Sequence, residues 1–118
     1  MKSPHEYYLD NLVNNLHKVD EDVRNACWIM KEGLYLKNNS ENQKKLCDLI
    51  IGYYNNSVSL IELKGTKNKK DKARIQLYSG YDLVTNYFGF DHEDIVMKAV
   101  YYNNGGYEYE IIDYKQNN

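Results

Sequence analysis

Apolar positions recur along this chain at two periods, one helical and one alternating. Leu9, Leu12, Val13 and Leu16 follow helical spacing. Ser3-Pro4-His5-Glu6 stands just before them: a serine that can cap, a proline suited to the first helical position, and an acid three residues after the cap. Together they predict an amphipathic helix to about Lys18. Asp20-Glu21-Asp22 reads as a loop. Ala26-Cys27-Trp28-Ile29-Met30 predicts a strand with Trp28 in the core, followed by a turn near Gly33, a short strand at Leu34 to Leu36 and a polar loop over Asn38 to Gln43. Leu46 to Tyr54 and Ser57 to Lys64 read as two strands joined through Asn55-Asn56, a turn-forming pair. A second helix is expected over Asp71 to Tyr87, with Ala73, Leu77, Gly80, Tyr81 and Val84 on one face. Ile95 to Tyr102 and Tyr107 to Tyr114 form a hairpin around Asn103-Asn104-Gly105-Gly106, and Lys115 to Asn118 are expected to fray. The order is helix, three strands, helix, one or two strands, which makes an α/β (α+β) fold with a central mixed sheet.

Composition narrows this picture. With 118 residues, no internal repeat and no Pro/Gly-rich linker, a single domain over 1–118 is expected. No apolar run approaches the length of a membrane span and no signal-peptide core is present, so a cytoplasmic protein without a membrane partner is expected. Cys27 and Cys47 lie far apart in apolar segments and read as buried, reduced thiols, and no Cys/His cluster suggests zinc. The net charge of −2 argues against a protein that coats nucleic acid. It hides an asymmetry: Lys64, Lys67, Lys69, Lys70, Lys72 and Arg74 fall within eleven residues that hold a single acid, Asp71. Such a strip suits a phosphate-bearing ligand approaching from one side. Tyrosine is abundant at 13 residues, which suits strands and base stacking equally.

The segment Ser59-Leu60-Ile61-Glu62-Leu63-Lys64-Gly65 carries the chemistry. In a strand, Glu62 and Lys64 share a face with Leu60 and Val58, so two charges emerge at the end of an apolar strand. Charges in such a place need partners or a purpose. Asp48, at the start of Cys47-Asp48-Leu49-Ile50-Ile51, is the candidate partner. For Asp48 and Glu62 to share a face, the paired positions of the hairpin must have an even sum. That requires an odd-length loop or a bulge, because a two-residue Asn55-Asn56 turn puts the two acids on opposite faces. Two carboxylates with a lysine can hold Mg²⁺, or Mn²⁺ in its place, and act on a phosphodiester.

Asp48, thirteen intervening residues and then Glu62-Leu63-Lys64 resemble the PD-(D/E)XK nuclease superfamily, as do Ala73 and Gln76-Leu77 after the motif. The resemblance covers most of the chain and implies a restriction-endonuclease-like core, similar to small archaeal Holliday-junction resolvases. It implies that Asp48 and Glu62 are metal ligands with the Leu63 carbonyl as a third, that Lys64 is catalytic, and that Gln76 assists from the second helix. Members often add an acid from the first helix, here Glu6 or Asp10; Glu6 is also explained as the third residue of a capping box. The lysines 67, 69, 70 and 72 with Arg74 then contact the phosphates of a nucleic acid, with DNA expected. Two departures stand out. Cys47 precedes the aspartate where proline is common, and Gly80 occupies the tyrosine position of a Gln-x-x-x-Tyr signature, which speaks against a RecB-like exonuclease. No appended recognition domain is expected in a chain this short, so specificity is expected from substrate shape, a homodimer or a partner protein. The rival reading is a noncatalytic interaction or nucleic-acid-binding module on the same scaffold. His5, His17 and His92 show no ligand spacing and read as surface residues.

Overall fold

The computed structural model describes residues 1–31, 35–37, 43–45, 47–103 and 105–114, the short segments 35–37 and 43–45 by backbone alone. The first helix, α1 (Pro4–Val13), opens as its sequence dictates, with Ser3 Oγ accepting the Glu6 N–H at 3.2 Å and Pro4 in the first turn. It ends earlier than expected. Asn14 terminates it, and Leu16–Lys18 form a separate 3₁₀ turn that still buries Leu16. The strands are β1 (Ala26–Lys31), β2 (Tyr35–Lys37), β3 (Gln43–Lys45), β4 (Leu49–Tyr53), β5 (Val58–Lys64), β6 (Ile95–Asn103) and β7 (Gly106–Ile112); α2 (Lys70–Phe88) links β5 to β6.

The sheet is mixed and five-stranded, in the order β1-β4-β5-β6-β7. β1, β4 and β5 form an antiparallel meander, β6 runs parallel to β5 after the α2 crossover, and β7 returns antiparallel. β2 and β3 pair with each other as a separate hairpin. Gln43 therefore lies in a strand rather than in the polar loop expected there. The turn near Gly33, residues 38–42 of that loop, Leu46, Asn104 and the tail Lys115–Asn118 lie outside the described residues.

The sheet separates two apolar layers. On one face Ile50, Val58, Leu60, Met97 and Ala99 pack under Ala73, Leu77, Tyr81 and Val84 of α2. On the other, Leu49, Ile51, Ile61, Leu63 and Val100 pack under Leu9 and Leu12 of α1 and under Leu16 and Val19. Each fully buried aliphatic side chain is worth roughly 1.5–3 kcal/mol against exposure, so these layers set the register. The α2 face is the one its periodicity predicted, and Gly89 in the left-handed conformation (φ 73°) ends the helix.

Two residues expected inside lie outside. Trp28 is 42% exposed, because β1 is an outer strand of the sheet. Its indole lies across Gly52, on the neighbouring strand, where a Cβ would come within 2.0 Å of Cε2. Cys27 is also exposed, at the irregularity between Ala26 and Trp28 in the β1–β4 pairing; Cys47 is buried and both thiols are free.

Candidate active site

The β4–β5 hairpin satisfies the parity condition. Leu49 pairs with Ile61 and Ile50 with Leu60, and one further step along the same register sets Asp48 opposite Glu62. The loop is Tyr54-Asn55-Asn56 rather than a two-residue turn. The Asn56 N–H donates to Tyr53 O at 3.0 Å, the Tyr53 N–H to Ser57 O at 3.0 Å, and Asn56 takes a left-handed φ of 69°. A tight turn closed by a left-handed residue is the usual three-residue hairpin connection.

Both carboxylates are buried, Asp48 at 1% and Glu62 at 2% exposure. They sit where the ladder stops, and each takes the place of a backbone acceptor. The Asp48 N–H donates to Glu62 Oε1 at 2.8 Å, and the Leu63 N–H donates to Asp48 Oδ2 at 2.8 Å. Removing two carboxylates from water costs several kcal/mol each, which such charge-assisted bonds partly offset. Lys64 is half-buried, with Nζ 3.8 Å from Glu62 Oε2. The neighbouring Cys47 thiol is pushed well above the ordinary thiol range, by burial first and then by the charge on Glu62.

The first helix contributes a residue whose role the sequence did not reveal. His5 Nε2 lies 3.1 Å from Asp48 Oδ2, although nothing in histidine spacing pointed to it. Glu6 is exposed on the rim of a shallow cavity that also includes Asp10 and Lys31. Asp10 is held by Lys2 at 2.5 Å and by Lys31 across to β1. Gln76 lies on the exposed side of α2, next to buried Leu77. The Leu63 side chain joins the layer under α1.

The basic strip does not stand alone. Lys67 pairs with Glu108 at 2.8 Å and Lys70 with Glu110 at 2.9 Å, both acids on β7, while Arg74 pairs with Asp71 at 2.6 Å. Lys69 and Lys72 are exposed. Hydrogen bonds from Lys70 and then from Tyr101 hold Glu110 below the usual carboxylate range. Exposed pairs of this kind are worth at most about 1 kcal/mol, so phosphate can displace them.

A second buried polar group lies toward the opposite end of β5. Tyr53 Oη donates to Asp20 Oδ2 at 2.5 Å and shares a hydrogen bond with Ser59 Oγ at 2.7 Å, while Lys98 Nζ donates to Val19 O at 2.8 Å. It ties the acidic loop to the sheet.

Two adjacent carboxylates of hard oxygen donors fit a divalent ion such as Mg²⁺, which needs only one or two carboxylates and keeps waters besides. Among the described residues, no group of three or more His, Cys, Asp or Glu side chains is arranged to hold a metal. One oxygen of each acid is oriented by a backbone N–H. Comparison with protein-family models, with curated proteins and with solved structures finds no match. Among the described residues no helix is long and apolar enough to cross a membrane.

Proposed function

We propose that this protein is a metal-dependent nuclease that hydrolyses phosphodiester bonds, with DNA as the substrate expected. The observation that carries the reading is the buried pair Asp48 and Glu62, joined at 2.8 Å through the Asp48 N–H, with Lys64 at 3.8 Å from the second glutamate oxygen. The element order supports a PD-(D/E)XK core: a helix, an antiparallel meander of β1, β4 and β5, the α2 crossover, and β6 parallel to β5. The motif acids fall at the start of the second meander strand and the end of the third. Asp48 and Glu62, with the Leu63 carbonyl, are the residues that hold Mg²⁺ or Mn²⁺ in this reading. Bound there, the ion supplies a water of lowered pKa and neutralises charge on the phosphoryl oxygen. Lys64 donates to the developing charge at the scissile phosphate, and His5 keeps Asp48 oriented. The lysines after the motif hold the flanking backbone without reading sequence.

The test is cleavage of labelled single-stranded, duplex, flap and four-way-junction substrates with Mg²⁺, Mn²⁺ or EDTA. Wild type is expected to cut in either metal and not in EDTA. Glu62→Gln, which keeps an oxygen for the Asp48 N–H, is expected to remove metal binding and cutting. Lys64→Ala is expected to lower the rate about 10²–10³-fold. Folded protein that binds no metal by calorimetry and cuts nothing overturns the assignment. That outcome favours the noncatalytic module instead, with the carboxylates serving a structural role that includes accepting the Asp48 and Leu63 N–H groups.

A further inference from the structure

Toward the end of β5 away from Asp48 and Glu62, the α1 face of the sheet is left partly uncovered. Ser59 pairs with Val96 and Ile61 with Lys98 in the β5–β6 register, and Lys98 pairs with Ile111 of β7. Ile61 lies in the layer under α1, so Ser59, Val96, Lys98 and Ile111 share its face. At the other end of β6, Tyr8 of α1 covers this face by stacking on Tyr102 at 4.1 Å. Here the loop Asp20-Glu21-Asp22 borders it instead, around a cavity of about 330 Å³.

The floor of this cavity is polar and buried: Asp20, Ser59 and Lys98 are only 3%, 3% and 8% exposed. Tyr53 Oη donates to Asp20 Oδ2 at 2.5 Å and stands 2.7 Å from Ser59 Oγ. A carboxylate only accepts, so the single Tyr53 proton goes to Asp20 and the Ser59 proton goes to Tyr53. Burial first, and then the bond to Asp20, raise the Tyr53 hydroxyl above its ordinary range, which keeps that proton in place. Ser59 Oγ is thereby left with lone pairs for an incoming donor. Lys98 has three donors and gives one to Val19 O at 2.8 Å. Asp20 Oδ1, at 3.8 Å, balances its charge from beyond hydrogen-bond reach. A buried ammonium with donors to spare is a costly way to tie a loop to a sheet.

We infer that this cavity binds a small cationic amide, the chemistry shared by a free amino-acid amide and the N-terminal residue of a peptide. Because Asp20 already balances Lys98, the remaining ammonium donors suit a neutral carbonyl better than a second anion. Ser59 Oγ suits the amide N–H that accompanies that carbonyl. Val96, Tyr109 and Ile111 line the same cavity and are exposed, offering apolar contact to a side chain. Glu21 and Asp22, also lining it and exposed, favour a positive charge at the solvent side. An anion meets those acids, and a purely apolar ligand leaves the floor donors unmet. The site is separate from Asp48 and Glu62, and the inference stands apart from the nuclease reading.

The experiment titrates leucinamide into the full chain at about pH 6, where its amino group is charged. Affinity is read by calorimetry and location by backbone amide NMR shifts. Shifts are expected at Asp20, Glu21, Asp22, Ser59 and Lys98. N-acetyl-leucinamide lacks the cation and leucine has a carboxylate in place of the amide, and each is expected to bind about 10-fold more weakly or worse. Glu21→Gln with Asp22→Asn alters exposed side chains alone and is expected to weaken leucinamide about 5-fold. Lys98→Met is expected to abolish binding in protein whose amide spectrum remains dispersed. Leucyl-glycyl-glycine separates the two sources: tighter binding than leucinamide assigns a peptide N-terminus, and weaker binding assigns a free small amide. Equal binding of leucinamide, leucine and N-acetyl-leucinamide overturns the inference. So do affinity unmoved by the Glu21 and Asp22 changes, shifts confined to other residues, and absence of saturable binding.

Discussion

Asp10 shows how a charge in the first helix can be held by lysines of its own chain. Hydrogen bonds from Lys2 and then Lys31 hold its carboxyl down at about 2, from an ordinary 3.8. The folded value is the lower one, so the tie from α1 to β1 is intact above the ordinary value and is lost as pH falls from there toward 2. Carboxyl resonances followed by NMR are expected to show the Asp10 midpoint near 2, moving up in Lys2→Ala and in Lys31→Ala; a midpoint unmoved by both removes the tie. His5 makes the complementary point. Its partner Asp48 is 43 positions away, and a single histidine has no period by which to be recognised. The shared burial of Asp48 and Glu62 was legible because charges at strand ends in apolar company are unusual, whereas the buried Asp20, inside an acidic run, gave no such contrast.

Among the elements, α2 and β5 are where the apolar period and the structure agree, whereas α1 stops at Val13, short of the Leu16 its period included. α2 buries the face its spacing implied, and β5 carries its acid on the face shared with Val58 and Leu60. The hairpin of Tyr35–Lys37 with Gln43–Lys45 has no such period, since its residues are mostly polar, and its pairing was not foreseen. β1 misled for another reason: Trp28 and Ile29 are apolar, yet an outer strand buries little, and both stay more than 40% exposed. The Trp28–Gly52 contact makes this strand testable. Gly52→Ala drives a Cβ to 2.0 Å from the indole, forcing the ring off β4. Overpacking of this kind costs about 1–3 kcal/mol, so urea unfolding is expected to show a lower midpoint with an unchanged slope. Unchanged stability would mean that the indole swings aside freely and does not pin β1.

At the scale of the whole molecule, opposite charges share the end of the sheet where α2 begins. Glu108 and Glu110 of β7 occupy Lys67 and Lys70, in the manner phosphates would. Glu108→Gln together with Glu110→Gln is expected to tighten nucleic-acid binding at low salt. The dependence on salt should stay steep, about 0.7–0.9 in log–log slope per phosphate contacted. Titrations by fluorescence anisotropy across salt concentrations check this, and binding insensitive to salt would count against the strip. The net charge of −2 makes the strip a local exception on the molecule. The crossed bonds at the end of the hairpin, from the Asp48 N–H to Glu62 and from the Leu63 N–H to Asp48, reach further than stability. Whatever draws electron density from either acid must loosen its grip on the amide that faces it. Two peptide protons therefore serve as resident gauges of the site, readable in the protein by itself.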